Sequence, residues 1–175
     1  MGKLEDRFIG DLERLHHEDD RATLARLRRG LGKPVGFCPE RDGWVCSRLP
    51  SLPEPEFTRR WNDCALTASL FAIHPEAGGQ GNLGASFRRL KDDSGGDGAE
   101  RRFAVLLDSD QEDLPGRLRH AVTLLKSKDI PIDWRRLLYD LQYWDHPTRF
   151  VQRHWARDFW ANAEHPEQVP TAGTE

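Results

Sequence analysis

A chain of 175 residues, 37% of them hydrophobic and 31% charged, is long enough to bury a sizeable core and carries a heavily charged surface. Its formal charge of −3 argues against a histone-like polycation. No apolar run approaches the ~18 residues of a membrane span and no leader-like start is present, so neither a span nor a signal peptide is expected.

The near-neutral total hides an uneven distribution. Residues 1–20 hold seven carboxylates against three basic groups, whereas residues 21–39 hold five basic side chains and no acid. Residues 158–175 hold four carboxylates and no base. The three cysteines, Cys38, Cys46 and Cys64, are odd in number and lack a C-x-x-C pair. Free thiols in a reducing cytoplasm fit that count, and a zinc site would need a fourth ligand and tighter spacing.

In chain order, residues 4–17 place Leu4, Phe8, Leu12 and Leu15 at helical spacing. A second helix near 20–31 carries Leu24, Leu27 and Leu31, and the Gly30, Gly32 and Pro34 cluster ends it. Residues 33–55 hold Pro34, Pro39, Pro50, Pro53 and Pro55, which predicts an irregular connector. A helix from about 56 to 73 follows, with Phe57, Trp61, Ala65, Ala68 and Ala72 on one face and His74-Pro75 as its stop.

A glycine-rich turn from Gly78 to Gly81 leads into a short helix with Leu83, Phe87 and Leu90. Asp92 to Gly98 reads as a polar, flexible breaker. Residues 100–107 then form a helix burying Phe103, Leu106 and Leu107, and Pro115 suits the first turn of a helix with Leu118, Ala121, Val122 and Leu125. Asp133 is a natural N-cap for a helix over 134–144. Pro147 is placed to open the last helix, ending near 162, and an acidic, disordered tail is expected over 163–175. The expected fold is all-α, a bundle of about eight helices, with an N-terminal part over 1–92 and a C-terminal part over 99–162 that pack as two helical subdomains.

The last third is the richest stretch. It holds four of the six tryptophans, Trp134, Trp144, Trp155 and Trp160, interleaved with arginines. At about 100° per residue, Trp134, Leu137, Leu138, Leu141 and Trp144 share a buried face, and Arg135, Arg136, Tyr139 and Tyr143 lie opposite. Phe150, Val151, His154, Trp155 and Phe159 form the buried half of the final helix. Arg149, Arg153 and Arg157 form the other half with Trp160 among them. Arg119 and Lys126 fall together on the helix before.

A guanidinium donates two parallel hydrogen bonds to phosphate and stacks on planar groups, so such a face suits a nucleic-acid backbone without sequence preference. An arginine stripe considered alone is most often just the solvated face of a helix. The positions that best fit nucleic-acid contact are Arg26, Arg28 and Arg29, then Arg101, Arg102, Arg119, Lys126, Arg135, Arg136 and Arg153. Of the adjacent Arg101 and Arg102, one is expected toward ligand and the other in an ion pair.

Residues that look chemical lack partners. Gly79-Gln80-Gly81-Asn82-Leu83-Gly84 has G-x-G-x-x-G spacing, but a helix and His74-Pro75 precede it where a dinucleotide loop needs a strand. Asp108 and Asp110 sit where helix caps belong. His16-His17-Glu18 lacks the second histidine four positions on that a zinc helix requires, and Cys64 reads as packing. No catalytic residue, metal or cofactor is expected.

One ordered set of features carries a family resemblance. It runs through Glu100-Arg101-Arg102-Phe103, Leu106-Leu107, Leu118-Arg119, Leu124-Leu125-Lys126-Ser127, Ile132-Asp133-Trp134, Leu137-Leu138, Asp140-Leu141, Trp144, Val151-Gln152 and Trp155-Ala156. Leu24 to Gly32, the Trp61 helix ending at His74-Pro75, and Leu83-Gly84 agree with it. Over about residues 8–160 the chain resembles the CasB family, the small subunit of the type I-E CRISPR Cascade surveillance complex. The resemblance implies a non-catalytic, all-α subunit present in two copies beside the other Cascade subunits. It also implies contact with crRNA and target DNA, including the displaced strand, without sequence preference, so as to hold the R-loop. The rival reading is an assembly protein whose arginine and tryptophan faces meet only other subunits.

Overall fold

The computed structural model describes residues 2–76, 78–94 and 97–161, and among them it shows nine helices and no strand. They are α1 (Lys3–His17), α2 (Arg21–Arg29), α3 (Pro39–Cys46), α4 (Glu56–Phe71), α5 (Leu83–Ser94), α6 (Asp97–Leu107), α7 (Leu114–Lys126), α8 (Trp134–Gln142) and α9 (Phe150–Trp160). The all-α reading holds, with one helix more than expected. None is long and apolar enough to cross a membrane.

Three boundaries differ from the sequence reading. The proline-rich connector contains α3, because Pro39 occupies its first turn, where no helical N–H is needed. The 92–98 breaker is shorter than expected: α5 continues to Ser94 and α6 begins at Asp97, leaving only residues 95 and 96 outside the described residues. The last helix starts at Phe150, not at Pro147. A turn in which the N–H groups of Thr148 and Arg149 both bond to His146 precedes it, and Arg149 takes a left-handed φ of 48° as N-cap. The proposed tail over 163–175 lies outside the described residues.

Asp133 caps α8 as expected, its carboxylate accepting the Arg136 N–H at 2.9 Å, and Asp20 caps α2 through Thr23 at 2.9 Å. Packing does not follow chain order. α8 lies against α1 and α4, whereas α5 packs on α6 and α9, and α6 on α7. One apolar cluster runs through all of them, from Phe8, Ile9 and Leu12 to Val151, Trp155 and Phe159.

Trp134, Trp144 and Trp155 are core, as the helical faces predicted, and each indole N–H has an acceptor. Trp134 donates to the Glu76 carbonyl at 3.1 Å, Trp144 to that of Ser109 at 3.1 Å, and Trp155 to the Asp140 carboxylate at 2.6 Å. A buried tryptophan thus contributes its large apolar area without leaving a donor unpaired.

The glycine-rich turn is structural. Gly84, in the first turn of α5, lies under α9: a Cβ there would stand 2.0 Å from the Trp155 carbonyl oxygen. Glycine at this point sets how closely the two helices approach.

Candidate nucleic-acid interface

α6 and α7 meet through Phe103 and Leu106 on one side and Leu118, Ala121, Val122 and Leu125 on the other, all buried. That packing turns the polar halves of both helices outward along one face. A depression of 290 Å³ between them is lined by Arg101, Arg102, Val105, Arg117, His120 and Leu124, with Phe87 and Ala121 at its base. Beside it, Arg119, His120, Thr123 and Ser127 line a shallower hollow along α7. No carboxylate lines either one.

Arg101 and Arg102 both border the depression, where only one of the two was expected. Arg102 donates to the Gly98 carbonyl at 3.3 Å, and neither enters an ion pair among the described residues. Val105, 41% exposed, adds an apolar spot between the cations. Four guanidinium groups and an imidazole, with no carboxylate among the described residues lining the two hollows, form a surface of positive potential suited to phosphate oxygens.

Arg117 and His120 escaped the sequence reading. They stand three apart, with Leu124 four further on, so a helical projection contains the signal. The stripe chosen there, Arg119 with Lys126, lay one step round the helix.

The remaining expected positions do other work. Lys126 donates to the Ile73 carbonyl at 2.7 Å, and Arg28 donates to the neighbouring Ala72 carbonyl at 3.0 Å. Both satisfy carbonyls at the C-terminal end of α4, where a helix leaves acceptors unpaired and its dipole favours cations. Arg26 and Arg29 share Glu40, at 3.9 and 3.1 Å, on the exposed α2–α3 surface.

Arg135 forms a bidentate pair with Glu13, at 2.7 and 2.6 Å, with Asp6 at 3.7 Å, joining α8 to α1. The Glu13 hydrogen bond holds its guanidinium proton above the ordinary range. Arg136 donates at 2.9 Å to Asp140, which is fully buried and also accepts from Trp155. Burial pushes the Asp140 carboxyl upward against the pull of Trp155 and Arg136. Arg135 thus ties α8 to α1, whereas Arg136 holds a buried carboxylate one turn further along its own helix.

Arg153 is exposed but lies on the other side of α6, in a shallow hollow with Asp108, Arg149 and Trp160. There Arg149 donates to the Leu107 carbonyl at 2.6 Å, and the Trp160 indole donates to Glu100 at 3.1 Å while packing on Phe103. Of the ten positions, Arg101, Arg102 and Arg119 therefore come together on one basic face that carries no ion pair among the described residues.

The chemical-looking residues stay unassembled. Cys38, Cys46 and Cys64 are free thiols, and burial pushes the Cys64 thiol well above its ordinary value. His74 is buried, with Nε2 2.8 Å from the Ile130 carbonyl. Asp110 caps the start of α7 through the Asp113 N–H at 2.9 Å. No group of three or more histidine, cysteine or acidic side chains fit to hold a metal occurs among the described residues.

A group that sequence reasoning missed lies elsewhere. Asp63 of α4 borders a cavity of 720 Å³ walled by Lys33 to Val35, Leu66, Gln111 and the start of α7. Burial raises its carboxyl to about 7, against the opposing pull of Arg60 and Arg59. Asp63 stands in the largely polar run Thr58-Arg59-Arg60-Trp61-Asn62-Asp63, where nothing in the sequence warns of such a shift.

Comparison with known proteins agrees with the architecture. Residues 23–160 match the family model described as CRISPR-associated protein Cse2. The chain is 31% identical over 167 residues to the CRISPR-associated protein Cse2 of Thermus thermophilus, covering 93% of this chain and 94% of that one. Among solved structures, CasB from Thermus thermophilus superposes with a TM-score of 0.75 at 29% identity, over 93% of this chain and all of that one. A chain of a CRISPR RNA-guided surveillance complex gives 0.76 at 23% identity, over 90% and 91%. With the family match spanning most of the described helices, the chain belongs to the Cse2 (CasB) family of CRISPR-associated proteins.

Proposed function

We propose that this protein is a non-catalytic subunit of a crRNA-guided Cascade surveillance complex, and that its α6–α7 face holds nucleic-acid backbone to stabilise the R-loop. The observation that carries the reading is the cluster of Arg101, Arg102, Arg117, Arg119 and His120, unopposed by any lining carboxylate. The fold-level likeness to a chain of an RNA-guided surveillance complex supports a place beside other Cascade subunits, crRNA and target DNA. In such a complex base pairing reads the sequence. Protein side chains need only hold phosphates and the displaced strand, which suits a face of arginines.

The test is fluorescence anisotropy with unrelated DNA and RNA, comparing wild type with the fourfold variant Arg101→Gln, Arg102→Gln, Arg117→Gln, Arg119→Gln. Each lost phosphate contact flattens the logarithmic salt dependence by about 0.9 on duplex DNA, so the slope of a variant lacking all four contacts should fall by about 3.6. Binding should weaken to a similar degree on every sequence. An unchanged slope and affinity would remove this face from the interface. A wild-type protein that binds no nucleic acid at low salt, yet still joins its complex, would leave the assembly role in its place.

A further inference from the structure

The segment between α2 and α3 is held in one shape from within. Arg41 and Asp42 are only 2% and 5% exposed and pair at 2.6 Å. The Arg41 guanidinium donates to the carbonyls of Gly30, Lys33 and Pro34 at 2.6, 2.9 and 3.0 Å. Asp42 in turn accepts the N–H groups of Gly36 and Cys38 at 2.9 and 3.1 Å. Both ends of the loop thus attach to one buried ion pair whose hydrogen bonds are fully used, an arrangement that rigidifies what it holds. Gly36 completes it with a φ of 91°, a backbone that side chains rarely adopt.

What this loop displays is Phe37, 72% exposed, the barest large apolar side chain among the described residues. Five other phenylalanines, Phe8, Phe71, Phe87, Phe103 and Phe159, are buried. Around Phe37 the loop is small or basic: Gly32, Lys33, Pro34 and Gly36 are all exposed. The other exposed large apolar residues, Val105, Tyr143 and Trp160, belong to other elements. A protein interface wants several large apolar side chains together, whereas Phe37 is the one large exposed apolar residue of its loop, and a nucleobase needs a single ring face.

Charge favours the same ligand. Arg26 and Arg29 reach Glu40 in the first turn of α3, just past Phe37, and Lys33 stands four residues before it. Arg26 and Arg29 share the single Glu40 carboxylate and keep more than half of their side-chain surface exposed, so both can still meet a phosphate.

The geometry points to Phe37 as a rigid stacking platform for an unpaired base of single-stranded nucleic acid, with Lys33, Arg26 and Arg29 drawing in the adjoining phosphates. The inference rests on the nucleic-acid role proposed above and adds a second contact, on the loop between α2 and α3 and selective for unpaired strands. A duplex keeps its base faces within its own stack, so it offers the ring nothing. Holding the ring ready in a fixed loop removes most of the ordering cost of the contact.

The experiment compares wild type, Phe37→Ala, Phe37→Trp and the fourfold α6–α7 variant on an oligothymidylate and on a duplex of equal length. Anisotropy gives affinity, and photocrosslinking of a 5-iodouracil strand with peptide mapping gives position. Phe37→Ala should lose about tenfold on the single strand and nothing on the duplex, Phe37→Trp should keep wild-type affinity, and the crosslink should map to Phe37. Because the ring is exposed, circular dichroism should show the alanine variant folded as wild type. Equal single-strand affinity of Phe37→Ala and wild type overturns the platform while leaving the α6–α7 reading standing. So does a loss shared equally by strand and duplex. If wild type binds neither, the nucleic-acid role itself fails and the platform falls with it.

Discussion

Replacing Asp63 with asparagine should stabilise the protein, and more so as pH rises. The folded chain holds the Asp63 proton to about pH 7, against an ordinary value of 3.8, because the carboxyl is taken from water beside the α4–α7 cavity. Below the ordinary value both folded and unfolded chains keep the proton, and the residue is neutral in its effect. Between there and pH 7 the unfolded chain ionises first, so the folded state binds more protons and the free energy of unfolding falls as pH rises. Above 7 the penalty is complete, with a ceiling of about 4 kcal/mol. The carboxyl is only half-buried and borders an open cavity, so the realised gain should be nearer 1–2 kcal/mol. Asparagine matches the protonated acid in shape and carries no charge to desolvate. Urea denaturation followed by tryptophan fluorescence at about pH 5 and about pH 8 measures it: the variant should exceed wild type at the higher pH and approach it at the lower. An Asp63→Asn protein that is less stable at the higher pH, or whose advantage ignores pH, refutes the argument.

Two further outcomes probe the architecture. Arg135→Gln should lower stability by up to about 1 kcal/mol by breaking the half-exposed pair with Glu13, yet leave nucleic-acid affinity and salt slope untouched; a flattened slope would return Arg135 to the interface. Gly84→Ala should cost about 1–3 kcal/mol in chemical denaturation, because its Cβ meets the Trp155 carbonyl at 2.0 Å and forces α5 from α9. Alanine's better helix propensity, worth about 1 kcal/mol, acts the other way, so a variant as stable as wild type would show that the contact relaxes freely.

The helical periods carried most of the secondary structure. Apolar residues at three- and four-residue spacing place the same side chains inward whatever packs on them, and Phe8, Leu12, Leu118, Trp134 and Trp155 are core as their positions foretold. Capping chemistry was legible too, since Asp133 needs only the first turn of its own helix. α3 was missed because five prolines in the connector outweighed the one position, Pro39, at which proline begins a helix.

The roles of the arginines lay beyond that reach. Periodicity tells which way a guanidinium points from its helix and says nothing about what another helix brings opposite it. Arg135 finds Glu13 from 122 residues away, and Lys126 finds the end of α4 from 53. Arg101 and Arg117 find only each other's cationic company in the groove they line. By itself the sequence determined the helices, the buried tryptophans and the family pattern, because each depends on local spacing. The tertiary structure alone decided which cations lack a partner among the described residues, because ion pairing at this range is a property of docked surfaces.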